Sequence, residues 1–252
     1  MQLRRLLKPL VPRVAVDFVR SAKVARRLGL VLPWLRSMKS PGKKSCYGTE
    51  YGGWTIPNDR LTADSVCYCV GCGEDISFDL ELVRAYACTV YGFDPTPRSV
   101  EFVRRTTANI PGYRFRDVGI WDRDGTVKFF APRDSQHVSH SITNLQSTDA
   151  YIEVPTRRLR EVLRENGHSR LTLLKLDIEG AEYQVFSAAD VGSWIRRVKV
   201  LIFECPDADR PGTTQKIFEK LGGLDFVCHV HGENFVLIRK DTGWKLESNT
   251  YL

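Results

Sequence analysis

From Asp64 onward, short apolar runs alternate with stretches of helical period. VCYCV (66–70) predicts a strand, and the spacing that follows predicts a helix over 77–86. CTVYGF (88–93) predicts a second strand, with a helix from about 97 to 109, and YRFRDVGI (113–120) a third. WDRDG then reads as a tight turn that returns the chain through TVKFF as a hairpin. A polar loop leads to a strand at YIEVP (151–155) and a helix through LREVLREN. LTLLKLD (171–177) is short and almost wholly apolar, the pattern of a strand covered on both faces. A helix is expected near Ala181, a strand at VKVLIFE (198–204), a helix around 215–221, and two strands, DFVCHV and NFVLIRK, joined at HGE. This alternation predicts an α/β fold with a doubly wound, mostly parallel sheet and one antiparallel strand near the C-terminus.

The first 45 residues follow a different pattern. Leu3, Leu6, Leu7, Leu10, Val14, Phe18, Leu28 and Leu32 are interleaved with basic residues, and Val14–Arg27 has the spacing of a helix with one apolar and one basic face. KSPGKK (39–44) reads as a linker or turn. The expected organisation is a basic leader over 1–45, one α/β domain over 46–240 and a tail over 241–252. Charge follows the same division. The 252-residue chain carries +7, but residues 1–45 alone carry twelve Lys/Arg against Asp17, a net +11 that leaves −4 for the remainder. A mildly acidic domain argues against nucleic acid as the partner. The leader suits an anionic membrane surface, a docking partner protein or a solvated tail. Its longest apolar run, LGLVLPWL, is broken by Pro33, and Pro9, Pro12 and the arginines interrupt any secretory signal. A cytoplasmic location is therefore expected, with peripheral attachment to a membrane surface under the first of the three readings of the leader.

Three of the seven cysteines, Cys67, Cys69 and Cys72, crowd into the first strand and the turn after it. Cys69 and Cys72 have the spacing of half a zinc site, but no second pair or Cys/His cluster completes it, and no metal is expected. The odd number of cysteines in apparent core strands points to a reducing compartment. What the stretch does offer is strand, Gly71-x-Gly73, helix, strand and then Asp94, 21 residues beyond Gly73. Glycines let the backbone turn sharply and let a ligand approach the main chain at the start of a helix. An acid after the next strand can accept the hydroxyl hydrogens of an adenosine ribose. This is a nucleoside-cofactor half-site, of the NAD or the S-adenosylmethionine (SAM) kind. Asp75 stands where the dinucleotide fingerprint has its third glycine, which disfavours NAD.

The combination of VGCGED (70–75), YGFDP (91–95) and LLKLDIEGAE (173–182) resembles the FkbM-type SAM-dependent methyltransferases. VGIWDRDGTVKFF (118–130), SHS (139–141) and IFE (202–204) fall in that family's order, and YGGW (51–54) is similar to an element of a methyltransferase-like branch. The resemblance implies a class I, Rossmann-like methyltransferase that binds SAM and methylates a hydroxyl of a sugar, glycan or small metabolite. It implies cofactor contacts at Val70, Gly71, Gly73, Glu74, Asp94, Pro95, Gly119 and Asp177. Asp177, Glu179 and His140 compete for the catalytic roles, while Glu182 is expected to be an exposed or salt-bridged helix carboxylate. The family's acid before the glycine turn is Cys69 here, which leaves the partner of the methionine ammonium open, with Glu74, Asp75 and Asp177 as candidates. That departure also supports a non-catalytic binding protein on the same fold as an alternative, beside an NAD-linked oxidoreductase and a nucleic-acid methyltransferase. Trp54 and Tyr51 either cover the ligand or simply pack on the domain, and His229 and His231 are weaker candidates for a base.

Overall fold

A computed structural model describes residues 43–131, 148–178, 180–204, 213–221, 226–231 and 234–240. The expectations for the basic leader before residue 43, for His140, for Glu179 and for the tail after residue 240 lie outside the described residues.

The centre is β3 (Val66–Val70), flanked on one side by β4 (Thr89–Phe93) and β5 (Tyr113–Arg116) and on the other by β9 (Leu171–Leu176) and β10 (Val198–Glu204), all parallel. β12 (Asn234–Arg239) lies antiparallel beside β10, and β11 (Phe226–His231) closes the edge antiparallel to β12. The order β11-β12-β10-β9-β3-β4-β5 therefore contains a single reversed strand, β12, near the C-terminal end of the chain. This is the class I methyltransferase-like arrangement.

Helices cover both faces. α1 (Ser77–Tyr86) and α2 (Pro97–Thr107) contribute Phe78, Leu82 and Val103 to a core shared with Cys67, Cys69, Leu173, Val200 and Val236. On the other face α3 (Leu159–Glu165), α4 (Glu182–Ser187), α5 (Val191–Ile195) and α6 (Thr213–Leu221) pack Leu163, Phe186, Trp194 and Phe218 against Leu174, Leu201, Phe203 and Phe235. Local signals set the helix limits: Pro97 starts α2 with φ already suited to a helix, and Arg104 and Arg105 oppose the dipole in its last turn. α1 ends where Ala87 turns left-handed and donates its N–H to the Val83 carbonyl at 2.9 Å.

Three elements differ from expectation. The single strand expected over YRFRDVGI (113–120) is divided: Tyr113–Arg116 belongs to the large sheet and Gly119–Ile120 to a separate three-stranded one. KSPGKK is not linker throughout: Lys44 opens β1 (Lys44–Tyr47), which pairs antiparallel with β2 (Trp54–Pro57). The hairpin expected across WDRDG is also absent. β6 (Gly119–Ile120) and β7 (Gly125–Phe130) both pair with β8 (Tyr151–Arg157), which lies between them, β6 parallel and β7 antiparallel. The turn wraps the end of β8 instead of joining neighbours. Asp124 in it accepts the Arg158 N–H at 2.9 Å and its Nε at 3.0 Å.

Candidate active site

The chain leaves β3 for β4 and β5 on one side and returns to β9 and β10 on the other, so the strand order reverses between β3 and β9. Ligands of open α/β sheets bind outside the carboxyl ends of the strands at such a point. The residues just beyond those two ends are Gly71 and Asp177. The Asp177 N–H donates to the Val70 carbonyl at 3.1 Å, and the Gly71 N–H to the Phe93 carbonyl at 2.9 Å. Gly71 has φ +83°, and a Cβ on it would lie 1.7 Å from the Asp177 carbonyl oxygen, so no side chain fits there. Two residues on, Gly73 (φ +54°) has nothing within 4 Å of where its Cβ would be, and the turn presents bare backbone to open space.

Asp94 follows β4 and is 7% exposed. Its Oδ2 accepts the Gly73 N–H at 2.9 Å, while Oδ1 accepts the Thr96 N–H at 2.9 Å and the Thr96 hydroxyl at 2.7 Å. Pro95 comes against Gly119, where a Cβ would lie 3.3 Å from the proline Cγ. The structure therefore groups Gly71, Gly73, Asp94, Pro95, Gly119 and Asp177. Val70 is buried and contributes backbone only to this edge. Glu74 turns to the surface, where Arg98 Nη2 donates to it at 2.8 Å.

Asp75 is committed elsewhere. Its Oδ1 accepts the Ser77 N–H at 2.9 Å, and Oδ2 accepts the Thr49 hydroxyl from the turn between β1 and β2. Burial works against its ionisation, but hydrogen bonds from Ser77, Thr49 and Gly52 outweigh it and hold the carboxyl below its usual range. The same turn grips α1 through the Gly48 N–H on Glu81 at 2.7 Å and the Thr49 N–H on Ser77 Oγ at 2.8 Å. Trp54 is buried in the core, whereas Tyr51 at the tip is 78% exposed.

Beneath the glycine turn lies a polar group the sequence did not announce. Lys175 in β9 is 5% exposed, with Nζ 3.0 Å from the Gly71 carbonyl and 3.2 Å from Asp177 Oδ2. Asp79 of α1 is 3% exposed and accepts the Tyr113 hydroxyl at 2.9 Å. A Cβ on Gly92 would sit 2.1 Å from that hydroxyl, so the glycine of YGF is what lets the phenol reach Asp79. Burial alone would push the Lys175 ammonium down; attraction led by Asp177 overcomes it and raises the group above its ordinary value. Burial raises Asp79, against the pull of Lys175 and the bonds from Tyr113 and Cys69. Burial likewise raises Cys69 and Cys72, which remain thiols. Among the described residues no group of three or more His, Cys, Asp or Glu is placed to hold a metal ion.

Glu182 corrects an expectation. It is 1% exposed rather than a surface carboxylate, and it accepts the Ile178 N–H at 2.8 Å, closing the DIEGAE loop onto α4. Only one of these buried charges left a signal in the sequence. Lys175 is the lone cation in an apolar run, and an unmatched charge in a covered strand implies a partner. Asp79 and Glu182 were disguised as ordinary first-turn acids.

Similar proteins place this arrangement. The probable methyltransferase-like protein 24 of Rattus norvegicus is 23% identical over 194 residues, 76% of this chain and 44% of the rat protein, so the chain spans under half that relative's length. Methyltransferase 1 of Beauveria bassiana is 25% identical over 189 residues, 66% of this chain and 73% of the fungal one. The crystal structure of methyltransferase FkbM from Methylobacillus flagellatus KT superposes with a TM-score of 0.49 at 10% identity, over 89% of this chain and 59% of that one. Among the described residues no helix is long and apolar enough to cross a membrane. The glycine turn, Asp94, Gly119 and Asp177 all fall within residues 68–230, which match the Methyltransferase FkbM domain, and the chain belongs to that family.

Proposed function

We propose that the chain is a SAM-dependent methyltransferase that methylates a hydroxyl oxygen of a sugar, glycan or other small metabolite. The observation that carries this reading is the meeting of Gly71, Gly73, Asp94 and Asp177 at the point where the strand order reverses. The residues fit the cofactor. Bare backbone at Gly73 faces open space, two carboxylates stand beside it, and Pro95 and Gly119 lie together where an adenine would be flanked.

SAM, when bound, supplies a methyl group already on a sulfonium leaving group, so alignment and proton removal are what remain for the protein. A carboxylate has about four acceptor positions, and three on Asp94 are taken by Gly73 and Thr96. Asp94 would then receive one ribose hydroxyl, or two if the Gly73 N–H lets go. With Glu74 turned to Arg98 and Asp75 to Thr49 and Ser77, Asp177 is the acid we assign to the methionine ammonium. Glu179, two residues further along the chain, or His140 of SHS takes the acceptor's proton. Oxygen as the nucleophile, and a sugar or small metabolite as the acceptor, follow the FkbM likeness.

Calorimetry with SAM, S-adenosylhomocysteine and NAD side by side tests the cofactor. The first two should bind and NAD should not; NAD binding alone would return the protein to the oxidoreductases. For the base, single-turnover rates of Glu179→Gln and His140→Ala should identify one variant slowed by ~10²–10⁴-fold. If neither is slowed tenfold, proton removal lies elsewhere.

A further inference from the structure

The hairpin of β1 and β2 precedes residues 68–230, the stretch that matches the family domain, yet it reaches both limbs of the glycine turn. On the entry limb, Trp54 of β2 is buried with its ring centroid 5.8 Å from Lys175 Nζ, the ammonium that donates to the Gly71 carbonyl at 3.0 Å. On the exit limb, the Thr49 hydroxyl donates to Asp75 Oδ2. That hydroxyl oxygen is itself fixed, since it accepts the Gly52 N–H at 3.0 Å and the Tyr51 N–H at 3.3 Å. The Thr49 N–H donates to Ser77 Oγ at 2.8 Å, which ties the backbone of the hairpin turn to α1. Gly52 lets the contact close: a Cβ on it would lie 2.7 Å from Asp75 Cγ.

Gly73 stands between the two limbs. Its N–H is on Asp94 at 2.9 Å, its φ is +54°, and nothing lies within 4 Å of where its Cβ would be. A glycine in open space has wide conformational freedom, so its placement depends on what anchors the chain beside it. Two residues on, Asp75 has one oxygen on the Ser77 N–H at 2.9 Å and the other on Thr49. We infer that Thr49 is a positioning residue for the cofactor: from outside the matched domain it fixes Asp75, and through Asp75 the backbone presented at Gly73. This rests on the SAM reading above and deepens it. A turn held in its binding shape beforehand need not be ordered when the ligand arrives, and that ordering would otherwise cost affinity. SAM and S-adenosylhomocysteine share the adenosine and the amino-acid end, so loss of Thr49 should weaken both alike.

Calorimetry of both ligands with the full chain, beside urea unfolding, tests this. Thr49 is exposed, and Thr49→Val keeps the branched shape while deleting the hydroxyl. Both dissociation constants should rise about tenfold, the scale of one hydrogen bond to a charged group. Thr49→Ser retains the hydroxyl and should bind both ligands as wild type does. Gly52→Ala, which forces Asp75 and the hairpin turn apart, should weaken both ligands as Thr49→Val does. Amide exchange over residues 71–75 should quicken in ligand-free Thr49→Val. A purely structural role would lower the urea midpoint of Thr49→Val and leave both dissociation constants of the folded protein unchanged, which overturns the inference. Equal weakening in Thr49→Ser and Thr49→Val would take the effect away from the hydroxyl and overturn it as well. Should Thr49→Val fail to fold, Gly52→Ala decides: unchanged affinities overturn the inference, and weakened binding of both ligands supports it. Wild-type protein that binds neither ligand sinks the cofactor reading and this inference with it. Wild type and Thr49→Val that bind SAM equally sink this inference alone.

Discussion

On one face of the large sheet, Phe203 of β10 stacks on Phe235 of β12 with ring centroids 5.1 Å apart, and Phe186 and Phe218 meet the pair edge-on. On the opposite face, the same layer of strands presents Cys67, Cys69 and Lys175, and the helix above them sends down Asp79. The first face is held by area and shape, which tolerate exchange among apolar side chains of similar volume. The second is held by partners, where removing one member strands another in the core. The proposed cofactor edge lies at the carboxyl ends of the same strands, away from the phenylalanine stack, so damage to the stack and damage to that edge should be separable.

The largest expected effect is on the aromatic face. Phe203→Ala should destabilise the fold by about 3–5 kcal/mol, read by urea unfolding, because it removes a fully buried ring from a stack. The protein that remains folded should bind SAM as before; a weakened affinity would break the division between faces. Gly71→Ala comes next. A left-handed φ costs a side chain about 1–2 kcal/mol, and its Cβ must displace the Asp177 carbonyl. Calorimetry should find SAM binding lost, with a smaller stability loss than at Phe203. Unchanged binding would mean that the turn does not face the cofactor.

The smallest effect sharpens the comparison from a polar cluster on the aromatic side, where His168 Nδ1 lies 2.7 Å from the Tyr68 hydroxyl. Burial lowers the His168 pKa below its ordinary value. The unfolded chain therefore binds the proton more readily, and stability should be full above about pH 6.5 and fall as pH drops toward the folded value. Unfolding midpoints between pH 5 and pH 7 should show this slope in wild type and lose it in His168→Gln. An identical slope in both would assign it to other groups.

How legible these features were depended on how local their cause was. VCYCV, LTLLKLD and VKVLIFE became the central strands because short, mostly apolar runs of that length are the pattern of strands covered on both faces. Asp94 and Asp177 were placed because strand ends in a doubly wound sheet share one edge. β8 between β6 and β7 was not legible, because the turn signal in WDRDG is local and the intervening strand begins 26 residues after Gly125. The bond from Tyr113 to Asp79 joins residues on different elements, β5 and α1, and only the tertiary fold brings them together. Glu74 illustrates the same limit: its partner is Arg98, 24 residues further along the chain on α2.

β12 is the last described strand in the chain, yet its place is between β10 and β11, which precede it. While the polypeptide is being made, the sheet therefore has a slot that stays empty until Asn234–Arg239 emerge. During that interval the apolar backbone edge of VKVLIFE, which β12 later pairs from Val200 to Glu204, is exposed as a template for other chains. β11 does not cover that edge, because its pairing in the sheet is with β12. Any shortened form ending before Asn234 would carry that open edge permanently, and its characteristic failure would be aggregation through β10.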